Sequence, residues 1–290
     1  MCGVPYLVIV GAYLAAGAGA ALTAALTADQ HPLLTTLWAD IAATLVVFLV
    51  SMVVRNASVY DPYWSVAPPV IAIAWLAWPG GGTPLRQGLV VALILLWGIR
   101  LTANWVSTWG GLGHEDWRYV QLRETRGRVP WWLVNLGGIQ LMPTLVVFLG
   151  LLSVWPSMTV GDRPLWTLDI LAVAVTLAAI GLEATADLQL HRFAADPANR
   201  GRIVANGVWR FSRHPNYLGE IGFWWGMWLF GLAAAPGWWW TVIGPLGMVL
   251  LFVTVSVPLM DKRSLARRPG YADHMRRVPA LLPWPTRSGQ

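Results

Sequence analysis

The stretch "WWWTVIGPLGMVLLFVTVSVPLM", residues 238–260, holds no charged side chain. It is longer than the roughly 20 apolar residues that a helix needs to cross a bilayer, so it predicts a membrane-spanning helix. The whole 290-residue chain has the same character, since 56% of its residues are hydrophobic and 12% are charged, against about 25% charged in soluble domains. The sequence therefore predicts an all-α fold, a polytopic transmembrane helical bundle.

Seven other apolar runs are candidates for further spans. They lie at 5–27, 37–54, 66–79, 88–109, 132–155, 165–186 and 217–235. The run at 66–79 is short and contains two prolines. We therefore predict seven or eight transmembrane helices in a single integral membrane domain.

Basic residues are distributed unevenly over the connecting loops. With eight spans and a cytoplasmic N-terminus, 17 of the 20 Lys and Arg fall on the cytoplasmic side, and only Arg86 and Arg163 fall in the opposite loops. This asymmetry follows the positive-inside rule, so we predict a bacterial inner-membrane protein with both termini in the cytoplasm. The net charge of +6 is then a signal of topology, and we do not predict nucleic-acid binding.

Metal binding is not predicted either. The lone Cys2 excludes an internal disulfide and a cysteine-based metal site. His114, Glu115 and Asp116 are adjacent in sequence, and adjacent residues on a helix do not face one another.

The segment at the end of the sixth run carries acidic residues at helical spacing. Glu183, Asp187 and His191 recur every four residues, so they share one face of a helix. Carboxylates near hydrocarbon are expensive and usually have a partner or a function. The alternative is an interfacial ion pair with Arg192.

Arginines are concentrated in the following loop. Arg200, Arg202, Arg210 and Arg213 are separated by small and apolar residues. Guanidinium groups bind phosphate in a bidentate manner, so a phosphate site is one interpretation. Contact with lipid headgroups is the other.

The motif "SRHPNYLGE", residues 212–220, places polar groups at the start of an apolar helix. Pro215 suits the first turn of a helix, so the free backbone N–H groups after His214 favour an anion or a polar cofactor group. Asn216 and Glu220 are four residues apart and share a face. Simple helix capping is the alternative.

Two earlier segments repeat this pattern of polar residues at a helix end. In "YDPYWSVAPP", residues 60–69, Asp61 and Tyr63 precede an apolar run. A partly desolvated carboxyl there would have a raised pKa and could serve as a proton donor. Arg100 and Asn104 lie one turn apart inside the fourth run.

Together these segments resemble a known family. "ATADLQLHRF" (184–193), "GVWRFSRHPNYLGEIGFWWGMWL" (207–229) and "RRPGYADHMRRVPALLPWP" (267–285) are similar to the C-terminal domain of the steroid 5-alpha-reductase family, in its bacterial membrane branch. The resemblance covers residues 180–290 well, and the "YDPYWSV" and "RLTANW" segments more loosely. It implies a multi-helix membrane enzyme that binds NADPH and reduces a carbon–carbon double bond conjugated to a ketone.

The resemblance also implies roles for individual residues. It makes 1–160 the substrate-side part and 161–290 the cofactor-binding part, and it assigns the catalytic acid to Asp61. The family's tyrosine partner of that acid is replaced by Trp97, three residues before Arg100, so Tyr63 or Tyr119 would supply the hydroxyl or the substrate would differ from a 3-ketosteroid. We expect Asp61, assisted by Tyr63, to form the catalytic pair. The residues expected to hold NADPH are Asp187, Arg200, Arg202, Arg210, Arg213, His214, Asn216, Tyr217, Glu220 and Arg276 or Arg277. The residues expected near the substrate or in support of the site are Glu183, Trp97, Arg100 and Asn104.

Other function classes stay open. An S-adenosylmethionine-dependent membrane methyltransferase of the isoprenylcysteine carboxyl methyltransferase type shares the "RHP" and "RVPALLP" pieces, but it would not require the pair Asn216 and Glu220. A transporter should carry polar residues near the midplane of several spans, whereas here most of them lie at span ends. In each enzymatic interpretation the partner is a hydrophobic, lipid-like or steroid-like small molecule that arrives from the membrane lipids.

Overall fold

The computed structural model describes residues 4–282, and all of the regular structure in that range is helical. We number ten helices in chain order. They are α1 (Val4–Leu26), α2 (Pro32–Val53), α3 (Tyr63–Leu76), α4 (Pro84–Thr108), α5 (Trp117–Thr125), α6 (Trp131–Val160), α7 (Thr167–Ala195), α8 (Pro215–Ala234), α9 (Pro236–Arg267) and α10 (Tyr271–Arg277). Short 3₁₀ helices cover Ala57–Tyr60, Pro197–Asn199 and Gly207–Arg210.

Six helices in this part of the chain are long and apolar enough to cross a membrane, namely α1, α2, α4, α6, α7 and α9. The all-helical polytopic bundle is thus confirmed, but the predicted count of seven or eight spans exceeds this number. The run at 66–79 becomes α3, whose 14 residues rise about 21 Å, less than the roughly 30 Å hydrocarbon core. The run at 217–235 becomes α8, which has 20 residues but is less apolar because it carries Asn216, Glu220 and several glycines.

The chain divides into two compact units, each described by itself. The first unit comprises the described residues of Met1–Pro79 together with Ile94–Leu152. Its core contains a stripe of small residues on α1, Ala12 and Ala16, against Ala43 and Val47 of α2. Small side chains let membrane helices approach closely, which explains why α1 and α2 pack along their length.

Hydrogen bonds between spans reinforce this unit. Thr44 of α2 and Thr144 of α6 lie 3.0 Å apart through their hydroxyls, and the Tyr60 hydroxyl lies 2.8 Å from that of Thr144. One turn of π-helix, Asn135–Leu141, directs the Asn135 and Gln140 amides toward the Ser51 hydroxyl. Polar contacts of this kind hold membrane helices together at modest net free energy.

The second unit comprises Gly80–Leu93 and the described residues of Ser153–Gln290. Its main contact joins α7 and α8, which approach so closely that a Cβ atom at Gly219 would lie 2.6 Å from the Cβ of Glu183. At Gly226 a Cβ would collide with Thr176. Glycine is therefore required at both positions for this packing.

A buried ion pair also belongs to the second unit. The Arg86 guanidinium donates from Nε to Oδ1 of Asp169 at 2.7 Å and from Nη2 to Oδ2 at 2.9 Å. It also donates to the carbonyl oxygens of Arg163 and Pro164. The two side chains are 0% and 2% exposed, so this bidentate pair fixes the start of α4 to the start of α7 without water.

Candidate functional site

The acidic site of the first unit forms where the loop that precedes α5 contacts the 3₁₀ helix Ala57–Tyr60. Asn56 caps this helix by accepting a hydrogen bond from the Ser58 N–H at 2.8 Å. The Glu115 carboxylate accepts from the Ala57 N–H at 2.8 Å, and the Asp116 N–H donates to the Ser58 hydroxyl at 2.8 Å. These contacts fix the start of α5 next to residue 61.

The result is a hydrogen-bonded pair of Asp61 and Tyr119. The Tyr119 hydroxyl donates to Oδ1 of Asp61 at 2.5 Å, a distance typical of a strong O–H···O⁻ bond. Burial raises the pKa of Asp61 to about 6, although the Arg118 charge and the Tyr119 hydrogen bond act in the opposite direction. Burial likewise raises the pKa of the Tyr119 phenol, and the Asp61 charge adds to this effect.

Tyr63 does not pair with Asp61, which corrects the expected catalytic pair. Its hydroxyl donates to Oδ1 of Asp40 at 2.7 Å. The physical reason is that Tyr63 begins α3 and its ring extends toward α2, while Asp61 lies in the turn before α3. Of the two tyrosines open from the sequence, Tyr119 is the one that is hydrogen-bonded to Asp61.

The three residues expected near the substrate on α4 lie in the same unit. Trp97 is 1% exposed, and Arg100 and Asn104 are half-buried. All three engage in interactions within the chain. The bulky indole of Trp97 is therefore part of the protein interior.

The second unit gathers several of the residues expected to hold a cofactor around one small cavity. The cavity has a volume of about 80 Å³. Its walls include Arg213, His214, Asn216 and Tyr217, together with Tyr271, His274 and Arg268. His214 is buried and its ring stacks on that of Tyr217 at 5.3 Å, so both rings have fixed positions.

An acidic residue that the sequence analysis missed organises this region. Asp261 accepts hydrogen bonds from Arg213 Nη2 at 2.7 Å and from the Tyr271 hydroxyl at 2.7 Å, and it contacts His214 Nε2 at 3.0 Å. Burial and the hydrogen bond to Asp261 raise the pKa of Tyr271 to about 12. Arg213 is therefore held by the protein itself, so the candidate phosphate ligands are the other loop arginines.

Backbone contacts hold the turn before α8 in place. The Arg213 N–H donates to the Pro279 carbonyl at 2.9 Å, and the His214 N–H donates to the Ala280 carbonyl at 3.1 Å. The Ser212 hydroxyl donates to the same Ala280 carbonyl at 3.0 Å. The segment after α10 thus fixes the orientation of the helix start that bears Asn216.

Glu220, Glu183 and Asp187 lie on α8 and α7. Glu220 is buried and accepts a hydrogen bond from the Trp224 indole at 2.9 Å. Glu183 is also buried and meets α8 at Gly219, whereas Asp187, one turn later, is half-buried. The face of α7 that Glu183 and Asp187 share therefore begins at the contact with α8 and continues toward the C-terminal end of α7.

The remaining arginines lie at the surface of the second unit. Arg200, Arg202 and Arg210 are exposed in the loop between α7 and α8, and Arg210 stacks over the Phe211 ring at 4.3 Å. Arg276 pairs with Asp273, and Arg277 is exposed beside it. The cavity-lining residues of α10 are instead Tyr271 and His274, so neither Arg276 nor Arg277 lines the cavity.

Comparison with known proteins places these sites in a family. The profile of "Protein of unknown function (DUF1295)" matches residues 47–278. The chain belongs to the DUF1295 family. The match includes both the Asp61–Tyr119 pair and the α7–α8 region. An uncharacterized protein of Schizosaccharomyces pombe is similar to this DUF1295 protein, with 28% identity over 257 residues that cover 81% of this chain and 74% of the yeast protein. No solved structure matches the chain.

Proposed function

We propose that this DUF1295 protein is a membrane-embedded, NADPH-dependent reductase of a carbon–carbon double bond conjugated to a ketone in a steroid-like or other lipid substrate. The observation that carries the proposal is the hydrogen bond between Tyr119 and Asp61. Reduction of an enone places negative charge on the ketone oxygen, which needs a positioned donor in the transition state. A carboxyl with a pKa near 6 can supply that donor near neutral pH.

The residues of the second unit suit parts of a dinucleotide by their chemistry. The cavity of about 80 Å³ is much smaller than a whole dinucleotide, so it would take only a small polar part of the cofactor. Asn216 lines it at the N-terminal end of α8, where an amide side chain can bind a carboxamide or a ribose hydroxyl. The exposed Arg200, Arg202 and Arg210 offer charge for phosphates.

In the proposed reaction, the residues of the two sites have the following roles. When bound, NADPH supplies the hydride for the β carbon of the enone. Asn216 and Tyr217 hold the polar and planar parts of the nucleotide, and the loop arginines bind its phosphates. Asp261 keeps Arg213 and His214 in position at the N-terminal end of α8. Asp61 and Tyr119 hold the proton that the ketone oxygen needs.

The acid pair also distinguishes the two enzymatic interpretations. Methyl transfer from S-adenosylmethionine moves a cationic methyl group to a nucleophile, and no protonated acid is required for that step. A half-buried carboxyl with a raised pKa, bonded to a phenol, suits the proton donation that enone reduction requires. This is the reason for preferring the reductase.

The proposal is tested by turnover in detergent with a small panel of lipid enones. A flat 3-keto steroid and a polyprenyl enone are incubated with NADPH, and the same ketones without the double bond are the controls. We expect NADPH to be consumed only with an enone and the product to gain two hydrogen atoms by mass spectrometry. Asn216→Ala should raise the KM for NADPH about tenfold, since it removes hydrogen bonds of about 1 kcal/mol each.

Assays of the same purified protein include a control variant and can give a result that contradicts the proposal. Arg128→Ala, an exposed arginine of the first unit, serves as the matched control and should leave this KM unchanged. If no enone consumes NADPH and a methyl group passes from S-adenosylmethionine to a lipid acceptor, the proposal is wrong.

A further inference from the structure

A groove on the first unit contains a second acid–phenol pair that the proposed reaction does not use. The groove lies between α1, α2 and α3 and has a volume of about 320 Å³, at the small end of the roughly 300–1,000 Å³ of ligand pockets. Small residues of α1 and α2, such as Ala20 and Ala39, form one part of its wall, and Trp75 of α3 and Trp78, two residues after the end of α3, form another. An apolar molecule can therefore lie along it.

Asp40 and Tyr63 lie in the wall of this groove. Asp40 is the only charged residue between 32 and 53, and both side chains are buried, at 5% and 6% exposure. In the described part of the chain, the only hydrogen bond to the Asp40 carboxyl comes from Tyr63 and goes to Oδ1. Oδ2 thus has unused hydrogen-bonding capacity in a residue that lines the groove.

The depth of this pair restricts what it can bind. Asp40 lies eight residues after the start of α2, a rise of about 12 Å, so it is well inside the hydrocarbon region. Placing a charged headgroup there would require its full desolvation. A neutral hydroxyl or ketone oxygen is far less costly to bury when it finds a partner.

We propose that this groove binds a neutral lipid that carries a single hydroxyl group, able to donate a hydrogen bond, on an otherwise apolar body. The oxygen bonds to Oδ2 of Asp40, and the Tyr63 hydroxyl holds the carboxyl in position through Oδ1. The apolar body lies against the alanines of α1 and α2 and against Trp75 and Trp78. This inference does not rest on the reductase proposal, because binding in the groove needs neither NADPH nor the Asp61–Tyr119 pair.

Photolabelling of the full chain in phosphatidylcholine nanodiscs tests the inference. The probes are a long-chain alcohol with a diazirine in its chain and the matched diazirine alkane without the hydroxyl. Labelled peptides of α1, α2 and α3 are quantified by mass spectrometry. We expect the alcohol to label the groove about fivefold more than the alkane, the effect of one hydrogen bond on affinity.

Variants test whether the Asp40–Tyr63 pair, and not the rest of the groove, causes the preference for the alcohol probe. Asp40→Leu keeps the branched shape of the side chain but removes both oxygens, and it is expected to make the two probes label equally. Tyr63→Phe should reduce the preference for the alcohol over the alkane, because the Asp40 carboxyl loses the phenol that orients it. Tyr60→Phe is the matched control, since Tyr60 is buried nearby but its hydroxyl bonds to Thr144, and it should keep the native preference.

Two outcomes would overturn the inference. Equal labelling by alcohol and alkane in the native protein would mean that the groove is ordinary lipid-facing surface filled by acyl chains. A preference that survives both Asp40→Leu and Tyr63→Phe would place the oxygen elsewhere. The native comparison alone decides the first point, so the test does not depend on the folding of any variant.

Discussion

Replacing Asp61 by asparagine is expected to lower the turnover number for enone reduction about 10²–10⁴-fold, the usual contribution of a general acid. The amide keeps the shape of the side chain, but it cannot be the proton donor that the ketone oxygen needs. NADPH affinity should stay unchanged, because the nucleotide is assigned to residues of the second unit. Native turnover in Asp61→Asn with normal binding would remove Asp61 from the mechanism.

The pH profile provides an independent readout of the same residue. Only the protonated carboxyl donates, so kcat/KM should be constant below pH 6 and fall about tenfold for each pH unit above it, since the pKa of Asp61 is about 6. Because the Tyr119 hydrogen bond lowers the pKa of Asp61, Tyr119→Phe should move the inflection to higher pH. Tyr63→Phe should leave the inflection in place, since Tyr63 bonds to Asp40. A profile without this inflection would contradict the assignment.

Replacing Arg86 by methionine is expected to lower the free energy of unfolding by about 3–5 kcal/mol, because Asp169 is left as a buried charge without its partner. The carboxyl of Asp169 is 2% exposed and Arg86 is 0% exposed, so water cannot replace the guanidinium. Unfolding in detergent, followed by circular dichroism against denaturant, measures the loss.

Two further variants distinguish pairing from packing. In the double variant Arg86→Met with Asp169→Leu, both charges are removed, and most of the stability should return. Arg276→Met is the control, because its partner Asp273 and its own side chain are 57% and 72% exposed, and exposed pairs contribute about 0–1 kcal/mol. A loss at Arg86 no larger than that at Arg276 would contradict a structural role for the buried pair.

The helical membrane fold followed from the sequence because apolar runs such as 238–260 exceed the bilayer thickness and need no tertiary information. Run length alone did not settle the number of spans. The proline-rich run at 66–79 forms the 14-residue helix α3, and the run at 217–235 forms a helix rich in tryptophan and glycine. Apolarity along the chain does not reveal where a helix begins and ends.

The sequence predicted which candidate site residues lie together only when these residues are on the same helix. Periodicity brought Asn216 and Glu220 to one helix, and Glu183 and Asp187 to another. It could not pair Arg213 with Asp261, which is 48 residues away, or Asp61 with Tyr119, which is 58 residues away, because such pairs depend on how helices pack.

One signal in the sequence could have found two of the missed residues. Asp40 is the only charged residue of α2, and Asp261 is the only acidic residue of α9. An acidic residue inside a membrane span, such as Asp40, or directly at the end of one, such as Asp261 after the run 238–260, is expensive to bury and therefore indicates a partner or a function. Both have partners in the structure, Tyr63 for Asp40 and Arg213 for Asp261.

The most direct test of the central claim is the thermal stability of the purified protein with NADPH and, separately, with S-adenosylmethionine. A ligand that binds only the native state stabilises it by about 2.7 kcal/mol at a hundredfold excess over Kd. We predict that NADPH raises the Tm, that Asn216→Ala roughly halves this stabilisation because it weakens binding about tenfold, and that Arg128→Ala preserves it. A shift with S-adenosylmethionine and none with NADPH would contradict the reductase account.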